Sequence, residues 1–370
     1  MGFIVNPIAG MGGRVGLKGT NGVLKEALAR GAEPIAPVKA KEFLEKLREL
    51  QLESSIQFLT CPAPMGEEHI RATGLKAQIL PMSLDSETTL EDTKLAVRFL
   101  VKSKVDLIVF VGGDGTARDI LDAMQEVNNV LALGVPSGVK MYSGIFAASA
   151  LDAAEVVQAF LERSAQTMDF EIMDVDETAA RQDRLSVKLY GFLKGPFVPM
   201  RLVGSKQVSP ETVDEHENQM ATARFVVENM DSKAAYILGP GTTIKSIADL
   251  LGVEKTLLGV DIYQDKTVIK DVNEQKILQE IKDRRNVWII VSPIGRQGLL
   301  LGRGNQQISP EIIKRVGKEK IIVAATRSKI QGIEGNVLRV DTGDREVDST
   351  LRGYIRVATD YREWRLIQVQ

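Results

Sequence analysis

The strongest chemical signal in this sequence is a glycine-rich segment with one carboxylate, Gly112-Gly113-Asp114-Gly115-Thr116. It follows the apolar run Leu107 to Val111 and precedes apolar residues with helical spacing, so we expect it to join a buried strand to a helix. Glycines at such a junction let backbone N–H groups approach a phosphate closely at the positive end of the helix dipole. An acid beside phosphates would hold Mg²⁺, take a proton from an attacking hydroxyl or hydrogen-bond a ribose. In the plainer interpretation, Asp114 caps the helix and the glycines form a tight turn.

Polar and glycine-rich turns also follow other predicted strands. Lys140 comes shortly after the strand Val130 to Val135, and it is our first choice of a side chain that offsets charge on phosphates. Arg303 lies in one of the later turns, and its planar guanidinium group can donate paired hydrogen bonds to phosphate or pyrophosphate oxygens. The candidate nucleotide-binding residues in these turns are Ser137, Gly138, Gly239, Gly241, Thr242, Thr243, Ser292, Gly295, Gly298, Arg303 and Asn305. Ordinary strand-to-helix turns and exposed connections are the alternative interpretation of these residues.

Two common nucleotide-binding motifs do not match the sequence. Lys245-Ser246 has no preceding glycine and has the wrong spacing from Gly239 for a P-loop. The segment Gly10 to Val15 has valine where the dinucleotide-binding fingerprint requires glycine or alanine. His216, in a charged run, fits a solvated loop residue better than an acid–base group.

Composition limits the function classes that the chain can serve. Its 370 residues, 44% of them hydrophobic and 26% charged, provide enough apolar mass for two cores. Lys and Arg number 47 against 49 Asp and Glu, so no overall basic field exists for nucleic acid or an anionic membrane. One cysteine, Cys61, and two histidines, His69 and His216, exclude a disulfide framework and a cysteine- or histidine-rich metal site. We expect a soluble cytoplasmic protein, since we find neither a signal peptide nor a run of about 20 apolar residues.

The predicted elements alternate between strand and helix in two stretches, which indicates an α/β fold with mostly parallel sheets covered by helices. We predict an N-terminal nucleotide-binding domain over residues 1–150 and a mixed α/β substrate-binding domain over residues 151–370, with a cleft between them. The last segment, Tyr354 to Val369, is expected to return as a strand to the first domain. Thr88 and Glu91 have the spacing of a capping box at the start of a helix.

With these motifs, the chain resembles the NAD kinase and diacylglycerol kinase superfamily. Gly112 to Thr116 is similar to its signature, and the segment Asn6 to Gly10 is similar to its first nucleotide-contacting loop. Gly134 to Gly144 and Gly302 to Pro310 more closely resemble the prokaryotic ATP–NAD kinase-like branch, which includes acetoin-catabolism-type proteins. The resemblance covers nearly the whole chain and implies that Asp114 activates the ribose 2′-hydroxyl of NAD. It implies nucleotide contacts by Asn6, Gly10, Gly112, Gly113, Gly115, Thr116, Tyr142 and Ser143.

The resemblance implies a phosphotransferase that moves a phosphoryl group from ATP with Mg²⁺, or from polyphosphate, to NAD, and relatives imply a homo-oligomer. Asp176 and Glu177 are a loose counterpart of an Asn-Glu pair in NAD kinases and would bind a ribose, with solvated charge as the alternative. The second domain departs from the family pattern, which is largely β, because strand and helix alternate here from Ala234 onward. The acceptor therefore stays open between NAD and another hydroxyl compound, such as a lipid or a small diol. A non-catalytic NAD- or nucleotide-binding regulatory protein is the alternative of another class.

This interpretation depends on where the side chain of Asp114 points. We expect its carboxyl group to face the crevice in which donor and acceptor meet, with Lys140 and Arg303 offsetting the charge on the transferred group. A carboxyl group buried in backbone hydrogen bonds, away from any opening, would count against a transferase.

Overall fold

The computed structural model of the chain describes residues 1–13, 15, 24–85, 87–124, 130–138, 141–175, 187–198, 201, 213–295 and 298–370. These residues form two compact units, each with its own hydrophobic core. The first unit contains the described residues up to 11 and from 24 to 201, and the second contains residues 12, 13, 15 and 213 to 370. Both units are α/β, as the sequence predicts. Within the ranges given above, no helix combines the length and the apolar character needed to cross a bilayer.

A five-stranded parallel sheet is the base of the first unit. Its strands are β1 (Gly2–Val5), β2 (Phe58–Thr60), β3 (Ala77–Ile79), β4 (Leu107–Gly112) and β5 (Leu131–Pro136). The strand order is β3-β2-β1-β4-β5, and every residue of β1 and β4 is buried, as expected for central parallel strands. Val111 of β4 pairs with Val5 of β1 on one side and with Val135 of β5 on the other. The carboxyl ends of these three strands therefore lie at one edge of the sheet.

The helices of the first unit are α1 (Leu24–Ala29), α2 (Ala36–Glu49), α3 (Glu67–Ala72), α4 (Leu90–Lys102), α5 (Asp114–Met124) and α6 (Ala150–Leu161). The last five of them pack on this sheet. The capping box of α4 is formed by Thr89 and Asp92: the Thr89 N–H donates to Asp92 Oδ2 at 2.7 Å, and the Asp92 N–H donates to Thr89 Oγ1 at 3.4 Å. The predicted pair, Thr88 and Glu91, is wrong by one residue, because both pairs have the same spacing.

An antiparallel ribbon of two strands, β6 (Gln166–Val175) and β7 (Val187–Phe197), completes the first unit. The ribbon packs against α5 and β5, and Phe170, Ile172 and Leu193 join the core there. The first unit therefore extends beyond the boundary expected at residue 150.

A nine-stranded mixed sheet is the base of the second unit. Its strands are β8 (Ala235–Leu238), β9 (Asp261–Gln264), β10 (Thr267–Ile269), β11 (Val287–Val291), β12 (Leu299–Leu301), β13 (Ile321–Ala324), β14 (Val337–Val340), β15 (Gly353–Asp360) and β16 (Glu363–Val369). The order is β10-β9-β8-β11-β13-β15-β16-β14-β12, and the neighbours from β8 to β15 are parallel. β15 and β16 form an antiparallel hairpin within this sheet, so the expectation that Tyr354 to Val369 returns to the first domain is wrong. Cross-strand pairs such as Ile355 with Ile367 bury apolar side chains in the second core and stabilise the hairpin there.

The helices of the second unit mostly follow its strands. They are α7 (Val213–Glu228), α8 (Thr242–Leu250), α9 (Glu274–Ile281), α10 (Pro310–Val316), α11 (Arg327–Gln331) and α12 (Arg345–Leu351). α10 begins with Ser309 at the N-cap and Pro310 at the first helical position, although the Ser309 side chain makes no capping hydrogen bond. Because α8 follows β8 and α11 follows β13, these helices begin at the carboxyl edge of the parallel strands.

Candidate functional site

In the first unit, the loops after β1, β4 and β5 meet at the carboxyl edge of the sheet. Asn6 follows β1 directly, and its backbone N–H donates to the carbonyl of Val111 at 3.0 Å. The backbone N–H of Ser137, after β5, donates to the carbonyl of Gly112 at 2.9 Å. The glycine-rich segment and the two other predicted loops of this unit are thus brought together at one edge.

Several glycines in these loops leave no room for a side chain. A Cβ added to Gly113 would lie 3.2 Å from Gly138 Cα, and one added to Gly138 would lie 3.0 Å from Gly113 Cα. A Cβ added to Gly10 would lie 2.0 Å from the carbonyl oxygen of Ser137, and Gly10 has a φ of 83°. These glycines therefore allow the loops to approach one another, in addition to any role toward a ligand.

Asp114 is the first residue of α5, and only 5% of it is exposed. Its Oδ2 accepts the backbone N–H of Tyr142 at 2.6 Å, and its Oδ1 accepts the backbone N–H of Ser143 at 3.0 Å. Both donors belong to the segment after β5, so this side chain is more than a cap of its own helix. Backbone groups thus enclose the carboxyl group, in contrast to the expectation that it faces an open crevice. Each oxygen keeps a second lone pair that another donor can use.

The environment of Asp114 favours its protonated form. Burial raises the pKa of Asp114 to about 7, although the hydrogen bonds from Ser143 and Tyr142 act in the opposite direction. The negative charge of Asp174 on β6 adds to the increase, and Oδ2 of Asp174 lies 3.0 Å from Nη1 of Arg118 on α5. A carboxyl group with a pKa near neutrality can accept a proton from a hydroxyl and release it again, as acid–base catalysis requires.

The side chains of Asn6 and Ser137 differ in their hydrogen bonding. Asn6 Nδ2 donates to Thr116 Oγ1 at 2.9 Å, and Asn6 Oδ1 accepts the N–H of Ile8 at 3.3 Å, so this side chain joins the first loop to α5. Ser137 is 1% exposed, and its Oγ has no hydrogen-bond partner among the described residues. A buried hydroxyl without a partner costs free energy, and a ligand oxygen would satisfy it.

The remaining residues predicted for the first unit fall into two groups. Gly115 lies in the first turn of α5, while Tyr142 and Ser143 are buried and supply the amides that hold Asp114. The predicted residues outside the described part of the chain are Lys140, Asp176 and Glu177. Their roles stay predictions.

In the second unit, the turn between β8 and α8 lies beside the end of β11. The backbone N–H of Gly239 donates to the carbonyl of Ile290 at 2.8 Å. Gly241 has a φ of 111° and directly precedes α8, whose first two residues are the exposed Thr242 and the buried Thr243. The turn therefore reaches the carboxyl edge of the sheet, as expected for a candidate phosphate or ribose site.

The residues around β12 have structural partners within the second unit. A Cβ added to Gly298 would lie 2.6 Å from the carbonyl oxygen of Val337, so this position requires glycine for packing. Arg303 is 5% exposed, and its Nε lies 3.6 Å from Oδ2 of Asp341. Asn305 is fully buried; its Oδ1 accepts the backbone N–H of Gly302, and its Nδ2 donates to the carbonyl of Leu300 on β12. The proposed action of Arg303 on a transferred phosphoryl group therefore stays a prediction.

A polar cluster at the carboxyl edge of the second sheet includes residues that the sequence did not single out. Ser292, one of the predicted nucleotide-binding residues, accepts a hydrogen bond at its Oγ from Nζ of Lys329 at 2.9 Å. Burial lowers the pKa of Lys329 to about 8. Nearby, Glu215 on α7 accepts a hydrogen bond from the hydroxyl of Thr326. No motif marks Lys329, although its position shortly after a buried parallel strand was a usable signal.

The described residues do not form a resident metal site. They contain no group of three or more His, Cys, Asp or Glu side chains that could hold a metal ion. Both oxygens of Asp114 already accept backbone N–H groups.

Comparison with known families identifies both halves of the chain. The model of the ATP-NAD kinase N-terminal domain matches residues 1–165, which contain Asp114. The model of the ATP-NAD kinase C-terminal domain matches residues 232–369, which contain Lys329. No curated protein and no solved structure matches the chain. Because the two matches together cover most of its length and follow one another in order, the chain belongs to the ATP-NAD kinase family.

Proposed function

We propose that this chain transfers a phosphoryl group from ATP or polyphosphate to the ribose 2′-hydroxyl of NAD, giving NADP. Membership of the family makes the chain a kinase, and the donor and acceptor are the proposed part. The observation that carries the proposal is Asp114, a buried carboxyl group with a pKa of about 7 at the start of α5.

Asp114 would act as the base. The 2′-hydroxyl would donate a hydrogen bond to a carboxylate lone pair that the amides of Tyr142 and Ser143 leave free. As the hydroxyl oxygen bonds to phosphorus, the bond from phosphorus to the leaving oxygen breaks, and the hydroxyl proton passes to Asp114. Release of the products then returns this proton to water, because the pKa of the group lies near neutrality.

The other loops of the first unit would supply groups that bind the substrates. The buried Ser137 Oγ, which has no partner among the residues described, would donate to a ligand oxygen. Backbone N–H groups in the first turn of α5 favour anionic ligands. Mg²⁺ bound to ATP would neutralise donor phosphates, and Lys140 is proposed to offset charge on the transferred group. A cytoplasmic homo-oligomer is the location and assembly that we propose with this activity.

A second candidate function is the non-catalytic binding of NAD or another nucleotide. The enclosure of Asp114 favours it, because a carboxyl group that is 5% exposed and accepts two backbone N–H groups has a structural role in holding the segment 141–143. Transfer to a lipid or a small diol would use the same chemistry with another acceptor.

Incubating the purified protein with Mg²⁺ and NAD, and with ATP or polyphosphate as donor, tests these candidates. An NADP-specific dehydrogenase assay measures the product, and calorimetry measures NAD binding separately. We expect NADP to form, and we expect Asp114→Asn to lower the turnover number by about 10²- to 10⁴-fold, the usual loss when a general base is removed. The affinity for NAD should change much less than the turnover number.

Asp119→Asn is the matched control. Asp119 is another largely buried carboxyl group of α5, at 9% exposure, and burial raises its pKa to about 6. It lies further along the helix, so we expect this variant to keep the wild-type turnover. If the turnover number of Asp114→Asn is close to the wild-type value, Asp114 is not the base of the reaction. NAD binding without product from either donor would favour the regulatory protein, and product from a diol or lipid alone would replace NAD as the acceptor.

A further inference from the structure

Ser292, which is buried, and Lys329, which is partly exposed, form a polar pair in the second unit that the proposed reaction does not use. Ser292 is 2% exposed, and its Oγ accepts a hydrogen bond from Nζ of Lys329 at 2.9 Å. β11 and β13 are parallel neighbours with Val291 opposite Val323, so the residues that follow them lie at the same edge of the sheet. The sheet therefore fixes the position of this pair.

The surroundings of Lys329 do not neutralise its charge with an ion pair. Among the described residues, the hydrogen-bond partner of its amine is a hydroxyl, Ser292 Oγ. Glu215 attracts the charge from a distance, but its own oxygens accept hydrogen bonds from the hydroxyls of Thr326 and Ser328. The amine is buried although the residue as a whole is partly exposed, and this burial lowers its pKa to about 8. A buried amine without a counterion costs free energy, and an anionic ligand would offset that cost.

α7 connects this pair to a second turn. Glu215 contacts Thr326 after β13, and Gln219, one helical turn later, donates from Nε2 to Thr242 Oγ1 at 3.4 Å. Since a helical turn rises about 5.4 Å, the loop after β13 and the start of α8 are close neighbours. A Cβ added to Gly241, directly before α8, would meet no atom within 4 Å, so the backbone there borders open space.

We propose that Lys329 and Ser292, together with the start of α8, bind a phosphate group of a phosphate ester or phosphoanhydride in the second unit. The remaining protons of the ammonium and the hydroxyl proton of Ser292 can donate to phosphate oxygens. Backbone N–H groups at the start of α8 carry partial positive charge and add to the attraction. The choice of phosphate as the anion rests on the proposed phosphoryl transfer, whereas binding itself requires no turnover.

Inorganic pyrophosphate is the probe, and calorimetric titration of the full chain measures its affinity. We expect Lys329→Met to weaken pyrophosphate binding about tenfold or more, because charge-assisted hydrogen bonds are lost, and Ser292→Ala to weaken it by a smaller factor. Lys245→Met is the matched control, since Lys245 lies on α8 but is exposed and pairs with Asp249 at 2.7 Å. Its affinity should stay within about twofold of wild type. Equal binding by wild type and Lys329→Met, or an equal loss in Lys245→Met, would overturn the proposal.

A second measurement uses the unmodified chain and does not depend on how a variant folds. Acetylation of Lys329 and Lys245 is followed by mass spectrometry with and without pyrophosphate. We expect pyrophosphate to slow acetylation of Lys329 several-fold and to leave Lys245 unchanged, and equal rates at Lys329 would overturn the proposal. If pyrophosphate protects Lys329 from acetylation but the protein forms no NADP, the proposed function is wrong and the proposed phosphate site stands. If the protein forms NADP but pyrophosphate does not protect Lys329, the proposed function stands and the proposed phosphate site is wrong.

Discussion

Replacing Asp114 by Asn is expected to change how the stability of the first unit depends on pH. Burial raises the pKa of Asp114 in the folded chain to about 7, from an ordinary value of 3.8. The folded state therefore holds this proton more tightly than the unfolded chain does, and its stabilising effect is lost as pH rises between these two values. With these pKa values, the free energy of unfolding should fall by about 2 to 3 kcal/mol between about pH 5 and pH 8. This component is absent in Asp114→Asn.

The variant removes the titrating group and keeps a similar shape. Asn accepts one of the two backbone N–H groups well, but its own NH₂ faces the other, and this cost does not change with pH. The difference in unfolding free energy between wild type and variant should therefore move by about 2 to 3 kcal/mol in favour of the variant as pH rises. Asp119, whose pKa is about 6, also titrates in this range, but it contributes to both proteins and largely cancels in the difference.

The chain offers a separate probe for each unit. Cys61, the single cysteine, is fully buried in the first unit, whereas both tryptophans, Trp288 and Trp364, lie in the second. Brief thiol labelling during urea unfolding therefore reports on the first unit, and tryptophan fluorescence reports on the second. A difference that stays constant within about 0.5 kcal/mol across this pH range would refute a pKa near neutrality for Asp114. A movement of opposite sign would mean that the two backbone hydrogen bonds outweigh burial and lower the pKa.

Two further substitutions test the packing of each unit. Gly10→Ala should destabilise the first unit by about 3 kcal/mol or more, because the new Cβ would lie 2.0 Å from the carbonyl oxygen of Ser137 at a φ of 83°. Labelling of Cys61 at lower urea concentration is the expected result, and an unchanged midpoint would show that the loop can move aside. Nζ of Lys255 lies 3.5 Å from Oδ2 of the fully buried Asp261. Lys255→Met should destabilise the second unit by about 3 to 5 kcal/mol, because it leaves this carboxylate without its counterion. Tryptophan fluorescence measures this loss, and addition of Asp261→Asn should recover part of it, whereas full stability of the single variant would contradict the argument.

Elements with continuous apolar runs could be predicted from the sequence almost to the residue. The predicted strand Leu107 to Val111 is present as β4, which continues to Gly112, and the predicted strand Val130 to Val135 is present as β5, shifted by one residue. The predicted cap of α4, Thr88 with Glu91, lies one residue before the observed cap, Thr89 with Asp92. The two pairs have the same spacing, so the local pattern cannot distinguish them. The place of β15 and β16 in the second sheet could not be predicted, because pairing between distant strands is decided by tertiary packing.

In the candidate site, the sequence indicates which residues follow buried strands but not which groups enclose them. Asp114 was expected to be open, and it is enclosed because Tyr142 and Ser143 reach it from another loop. Lys329 occupies a segment without a recognisable motif, and its amine becomes buried through contacts that form only in the folded second unit. Long-range contacts therefore determine the ionisation of both groups, and local patterns do not encode such contacts.

The two units share a feature that stability alone does not explain. Each places an ionisable side chain after a buried parallel strand and shifts its pKa toward neutrality, upward for Asp114 and downward for Lys329. Burial penalises the charged form of either group, so a neutral residue of similar size would cost less free energy at both positions. The two proposals give each cost a use: the carboxyl group would accept a hydroxyl proton in phosphoryl transfer, and the amine would bind phosphate oxygens in the second unit. We therefore propose ligand chemistry, rather than folding, as the reason for the carboxyl group in the first unit and the amine in the second.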